Sequence, residues 1–136
     1  MNDSFAAVGL YVGLNALILL VLAYNVGSRR GAQNALDPGA TGDAVLTRAI
    51  RAHANFAEYA PVALIILVAL ALTDTGALPI HIIGAAFTIG RVLHAFGMMR
   101  KTHPNAVRFA GNLITGLVLL GGGALCLLRF YEALAP

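Results

Sequence analysis

Four long apolar runs alternate with short polar stretches along the chain. The first extends from Ser4 to about Ser28 without a charge. The second begins near Thr47, carries Arg48 and Arg51 in its opening turns, admits one acid at Glu58 and ends before Asp74. The third runs from about Pro79 to Met99 with Arg91 inside it, and the fourth from Phe109 to Leu128 with no charge at all. A helix needs about 20 apolar residues to cross the hydrocarbon layer. Backbone exposed to lipid must satisfy its hydrogen bonds internally. The pattern therefore predicts an all-α membrane protein, a bundle of four transmembrane helices over about 4–28, 47–73, 79–99 and 107–131, forming one domain across 1–136. Pro79 suits a first helical turn, where its missing N–H would be unpaired in any case. The connections from Thr73 to Leu78 and from Arg100 to Val107 are short enough to require antiparallel neighbours.

Composition agrees with this pattern. Of 136 residues, 59% are hydrophobic and 11% charged, against about 25% charged in a soluble domain. That apolar content excludes disorder, and the single Cys126 excludes a disulfide framework. The net charge of +3 does not indicate a nucleic-acid binder, because the basic residues punctuate apolar runs instead of forming a patch. They are unevenly divided. Arg29, Arg30, Arg48, Arg51, Arg100, Lys101 and Arg108 fall at the first and third loops, Arg129 near the C-terminus, and Arg91 mid-span. Seven against one predicts that the first and third loops are cytoplasmic and both termini outside. The start, Met1-Asn2-Asp3-Ser4, lacks the positive region of a cleaved signal peptide, so the first helix is expected to stay. In the long first loop, Asp37-Pro38-Gly39 predicts a turn. Gly9 and Gly13 form a GxxxG in the first helix, and Gly121-Gly122-Gly123 sits in the fourth; both are read as close helix packing.

Charges at membrane depth narrow the function. At about 100° per residue, Arg51, Asn55 and Glu58 share a sector of roughly 60° on an otherwise apolar helix. Glu58 lies about 10 Å deeper than Arg51, and Arg91 about 13 Å deeper than Arg100. Such groups are expensive in a bilayer and face partners or a wet cavity. Two readings are open. One is a structural ion pair between Glu58 and Arg91, helped by Asn55. The other is an anionic ligand, since Arg51, Arg91, Arg108 and Arg29 or Arg30 face a single acid at depth. Glu58 and Asn55 would then hold ammonium and amide groups while arginines hold carboxylates, as a small zwitterionic peptide requires.

The stretch Arg51-Ala-His53-Ala-Asn55-Phe-Ala-Glu58-Tyr59-Ala-Pro61 resembles the second-helix signature of the MAPEG family, the membrane-associated proteins in eicosanoid and glutathione metabolism. Gly90-Arg91-Val-Leu-His94 resembles that family's third-helix motif, and the likeness in length and plan covers nearly the whole chain. The resemblance implies a bacterial-type, inner-membrane homotrimer that binds glutathione between neighbouring subunits near one membrane face. It implies glutathione contacts from Arg51, Asn55, Glu58 and Tyr59, with His94 and Arg91 from the third helix and Arg29 or Arg30 from the adjacent subunit. Arg108 resembles the arginine that supports the glutathione thiolate, which makes it the catalytic candidate. Two positions depart from the pattern. Met98 stands where several family enzymes carry a tyrosine, and Ala54 where some carry a second arginine.

The expected function is a glutathione transferase or peroxidase acting on lipophilic electrophiles that enter from the bilayer, with glutathione as co-substrate. Cationic stabilisation of the thiolate would supply the chemistry. A non-catalytic assembly subunit of the same fold is the alternative that Met98 keeps open. A small four-helix transporter is the third, although such exporters place an acid in the first helix and this first run has none. No pair of histidines has metal-ligand spacing, so no metal is expected. His53 points about 200° away from Arg51, toward another subunit or the headgroups.

Overall fold

A computed structural model of the protein describes residues 3–33, 43–100 and 105–134. The four apolar runs form four helices: α1 (Asp3–Gln33), α2 (Ala44–Leu72), α3 (Ala77–Met99) and α4 (Ala106–Leu134). All four are long and apolar enough to cross a membrane. Helices α1 and α4 continue beyond their uncharged runs, so Arg29, Arg30 and Arg108 stand on helical turns, as Arg48 and Arg51 do in α2. The expected turn at Asp37-Pro38-Gly39, and Lys101, lie outside the described residues.

Local chemistry fixes the helix ends. Asp43 caps α2, its carboxylate accepting the Val45 N–H at 2.6 Å, which satisfies one of the donors that a helix start leaves unpaired. At the other end the Thr75 N–H returns to the Leu70 carbonyl at 3.1 Å, while Asp74 adopts φ 54°. Glycine usually fills that left-handed position; aspartate is one of the few other residues that tolerate it. Ser4 donates to the Thr75 carbonyl at 2.7 Å, tying the start of α1 to this turn.

The two middle helices form the centre of the bundle. Both α2 and α3 pack against all three other helices, whereas α1 and α4 do not meet among the described residues. Phe56, Phe87, Met98 and Val118 build one buried cluster; Tyr11, Leu67 and Ile80 build the other. Leucine, isoleucine and valine side chains such as Leu20, Val21, Ile65 and Leu120 stay exposed around the outside, as expected of surfaces that face lipid or another subunit.

The close helix approach is not where the GxxxG pattern suggested. Gly9 and Gly13 are exposed on α1, with no atom near the place a side chain would take. Backbone-to-backbone approach lies between α3 and α4 instead, while Gly84 of α3 admits the Tyr11 ring of α1. A Cβ at Gly97 would strike the Arg108 backbone, and one at Gly111 would strike the His94 and Gly90 backbones. Of the three fourth-helix glycines at 121–123, only Gly122 is closely covered, by Ile66.

Candidate functional site

The close α3–α4 seam organises a polar cleft. Asn105 precedes α4, and its Oδ1 accepts the Val107 N–H at 3.0 Å and the Arg108 N–H at 3.4 Å. Its Nδ2 donates to the Gly97 carbonyl at 3.4 Å, fastening the α4 entry to the α3 exit. Because Gly97 has no side chain, the Arg108 backbone can lie directly against α3. One turn further, Gly111 rests on the His94 backbone. Arg108 and His94 are thereby brought together, and Asn112 follows Arg108 on the same face of α4, four residues on. From α2, Asn55 and Tyr59 complete the wall. The cleft has a volume of about 460 Å³ and is lined by Asn55, Tyr59, His94, Asn105, Arg108, Phe109 and Asn112.

Arg91 lies behind this wall and is not part of it. It is fully buried, at 0% exposure. Its Nη2 donates to Asn55 Oδ1 at 2.6 Å and its Nη1 to Thr115 Oγ1 at 3.4 Å. Thr115 can accept because its own hydroxyl proton goes to the Gly111 carbonyl at 2.8 Å. The guanidinium carbon also sits 5.3 Å from the centre of the Tyr59 ring, a cation–π contact. The expected Glu58–Arg91 ion pair is not formed. Glu58 is exposed, and among the described residues the only ion pair is Arg129–Glu132. The reason is angular: Glu58 lies about 60° around α2 from Asn55, so its carboxylate leaves the junction of α2, α3 and α4 where Arg91 is held.

The remaining sequence candidates divide between two faces of α2. Arg51 and Glu58 are exposed and flank Asn55 along its stripe, but neither lines the cleft. Arg29 donates from Nε to Asn25 Oδ1 at 2.8 Å. Arg30 lines a second cleft of about 270 Å³ between α1 and α2, together with Ile50 and His53. His53 is about 200° around α2 from Asn55, so the two clefts open on opposite sides of one helix. Met98 is buried at 6% exposure within the core. It offers no polar group to the cleft.

The cleft contains three residues that sequence reasoning missed: Asn105, Phe109 and Asn112. A signal for Asn112 was present, because it stands one helical turn from Arg108. Asn105 and Phe109 enter only through the α3–α4 approach.

Electrostatically the cleft favours an anion. Arg108 lines it and Arg91 backs it, while among the described residues no acid lines it. An unpaired buried cation is costly, and an anionic ligand would relieve that cost.

Comparison with known proteins places this geometry in a family. The chain is 32% identical over 92 residues to the inner membrane protein YecN of Escherichia coli K12, covering 68% of this chain and 70% of YecN. It is 29% identical over 119 residues to an uncharacterized protein, sll1147, of Synechocystis, covering 88% of this chain and 86% of that protein. Residues 8–128 match the MAPEG family. The four helices, the second-helix stripe and the match over most of the chain agree: this is an integral membrane protein and a member of the MAPEG family.

Proposed function

We propose that the protein binds glutathione in the α2–α3–α4 cleft and acts as a glutathione transferase or peroxidase on lipophilic electrophiles. The observation that carries this reading is the convergence of Asn55, Tyr59, His94 and Arg108 on one cleft, with the acid-free Arg91 behind it. Glutathione has two carboxylates, one ammonium and a thiol. Arg51 and Glu58 lie outside the cleft lining but are exposed on the same α2 stripe as Asn55, where they would meet a carboxylate and the ammonium of a ligand that extends beyond the cleft. Arg108 is the residue suited to stabilise the thiolate once the thiol proton has left for solvent. In the transferase reaction the thiolate sulfur forms a bond to the electrophilic carbon, and the leaving group departs with the electron pair.

A homotrimer fits the two-faced layout. Arg30 and His53 line a separate cleft on the far side of α2, where they would be available to a neighbouring subunit's site. The charge distribution supports cytoplasmic first and third loops with both termini outside.

A non-catalytic, glutathione-binding subunit is the second reading, and burial of Met98 in the core favours it. Purified protein with glutathione and a chromogenic aryl halide, beside calorimetric binding of glutathione, separates the two. Binding with turnover supports the enzyme; binding alone supports the subunit; no binding overturns both. Arg108→Ala then tests the chemistry. It should leave glutathione affinity nearly intact and lower turnover at neutral pH, with partial recovery as the pH rises. Arg51→Ala should instead weaken binding and leave the pH profile of the saturated enzyme unchanged. Ultraviolet absorbance of the bound thiolate, followed against pH, is the deciding readout: an unchanged titration in Arg108→Ala removes Arg108 from the chemistry.

A further inference from the structure

Asn55 is the only cleft residue whose side-chain oxygen is held by a buried cation at 2.6 Å. An arginine can only donate, so the amide atom facing Arg91 has to be the oxygen. The other end of the amide, Nδ2 with its two protons, takes no partner among the described residues. Arg91 cannot readily release that oxygen. Its guanidinium also donates to Thr115 on one side and is faced by the Tyr59 ring on another, and full burial shields it from water as a replacement for Asn55. Asn105 is oriented the same way, since its oxygen is taken up by the Val107 and Arg108 backbone N–H groups. Arg108 itself has no acceptor.

We infer that Arg91 is a positioning residue that locks Asn55 as a hydrogen-bond donor to the cleft, so that this position selects a carboxylate or carbonyl oxygen of the ligand and rejects an ammonium. The inference rests on the cleft being the glutathione site, and it assigns the ammonium of such a peptide to Glu58 instead of Asn55. It also explains why a buried cation is kept without an acid partner. A carboxylate in place of the amide would neutralise Arg91 better, but it would present an acceptor where the ligand's own acceptor has to bind.

Asn55→Asp tests this with opposite signs for opposite outcomes. The substitution keeps the size of the side chain and supplies Arg91 with an ion-pair partner, so the fold is maintained. It removes the donor to the cleft. Affinity for glutathione, measured by calorimetry on the detergent-solubilised protein, should fall about tenfold or more, the loss expected for a hydrogen bond to a charged group. Unchanged or tighter binding would mean that position 55 accepts from the ligand, and would overturn the inference. Arg91→Lys, which retains one donor against the Asn55 oxygen, should keep more of the affinity than Arg91→Met; equal losses would overturn the positioning role. A second readout needs no ligand. Infrared titration of the carboxyl introduced by Asn55→Asp should find it ionised well below the ordinary aspartate range in the Arg91 background, and shifted back in Asn55→Asp combined with Arg91→Met. If the wild type fails to bind glutathione, the functional proposal fails, and the infrared result alone decides the lock: a carboxyl titrating in the ordinary range overturns it.

Discussion

Helix α3 is held to its neighbours in two different ways. Toward α4 it uses missing side chains: Gly97 and Gly111 let the Arg108 and His94 backbones come within reach of the opposing helix. Toward α1 it uses polar side chains in a row. The Tyr11 hydroxyl lies 3.0 Å from His81 Nδ1 and donates to the His81 carbonyl at 3.1 Å, and Asn15 Nδ2 donates to Thr88 Oγ1 at 2.9 Å. Lipid tails are as apolar as leucine, so helix association in a membrane relies on close packing and interhelical hydrogen bonds. On the α4 side backbone meets backbone; on the α1 side the hydrogen bonds are joined by Gly84, whose missing side chain admits the Tyr11 ring. Close packing occurs where the cleft is built, because only backbone proximity brings Arg108 to His94. The α1 seam brings a side chain, the Tyr11 ring, and not a backbone against its glycine, and it contributes no residue to that cleft.

Breaking the glycine seam should have the larger consequence. Gly111→Ala forces a methyl group into the His94 and Gly90 backbones. It should cost about 1–3 kcal/mol by overpacking, despite the better helix propensity of alanine, and should abolish ligand binding by parting α3 from α4. Unfolding in denaturant, followed by circular dichroism, and calorimetry with glutathione measure the two effects. Gly116→Ala serves as the control. It is exposed with nothing nearby, so stability should hold or rise slightly.

The polar seam should yield less. Tyr11→Phe removes its bonds to His81 and should destabilise by about 0.6 kcal/mol, the average for interhelical hydrogen bonds in a membrane protein. Glutathione affinity should be unchanged, since the seam does not line the cleft. A loss of affinity equal to that in Gly111→Ala would erase the distinction between the two seams.

The smallest expected effect concerns Glu58 and Arg91. Because Glu58 is exposed and Arg91 bonds Asn55, Glu58→Gln should change stability by less than about 0.5 kcal/mol. Combined with Arg91→Met, its effect should be additive within about 0.5 kcal/mol. A double-mutant cycle with a clear coupling energy would restore the ion pair that the α2 stripe suggested.

Much of this molecule is legible in its sequence because membrane insertion is governed by quantities that add along a chain. Apolar length determined four helices, and the short connections between them determined antiparallel neighbours. Helical periodicity determined that Arg51, Asn55 and Glu58 share one stripe of α2. The tertiary structure alone decided which member of that stripe meets Arg91. Asn55 and Glu58 are three residues apart and equally plausible by spacing, but the rotation of α2 against α3 and α4 turns Asn55 inward and leaves Glu58 exposed. It also decided which glycines matter. The GxxxG of α1 looks like a packing motif and has no close neighbour among the described residues, while Gly97 and Gly111 meet the facing backbones. Apolar length and period are properties of one segment at a time. The azimuth of one helix against another depends on how all the side chains at their junction fit, and that information belongs to no single segment.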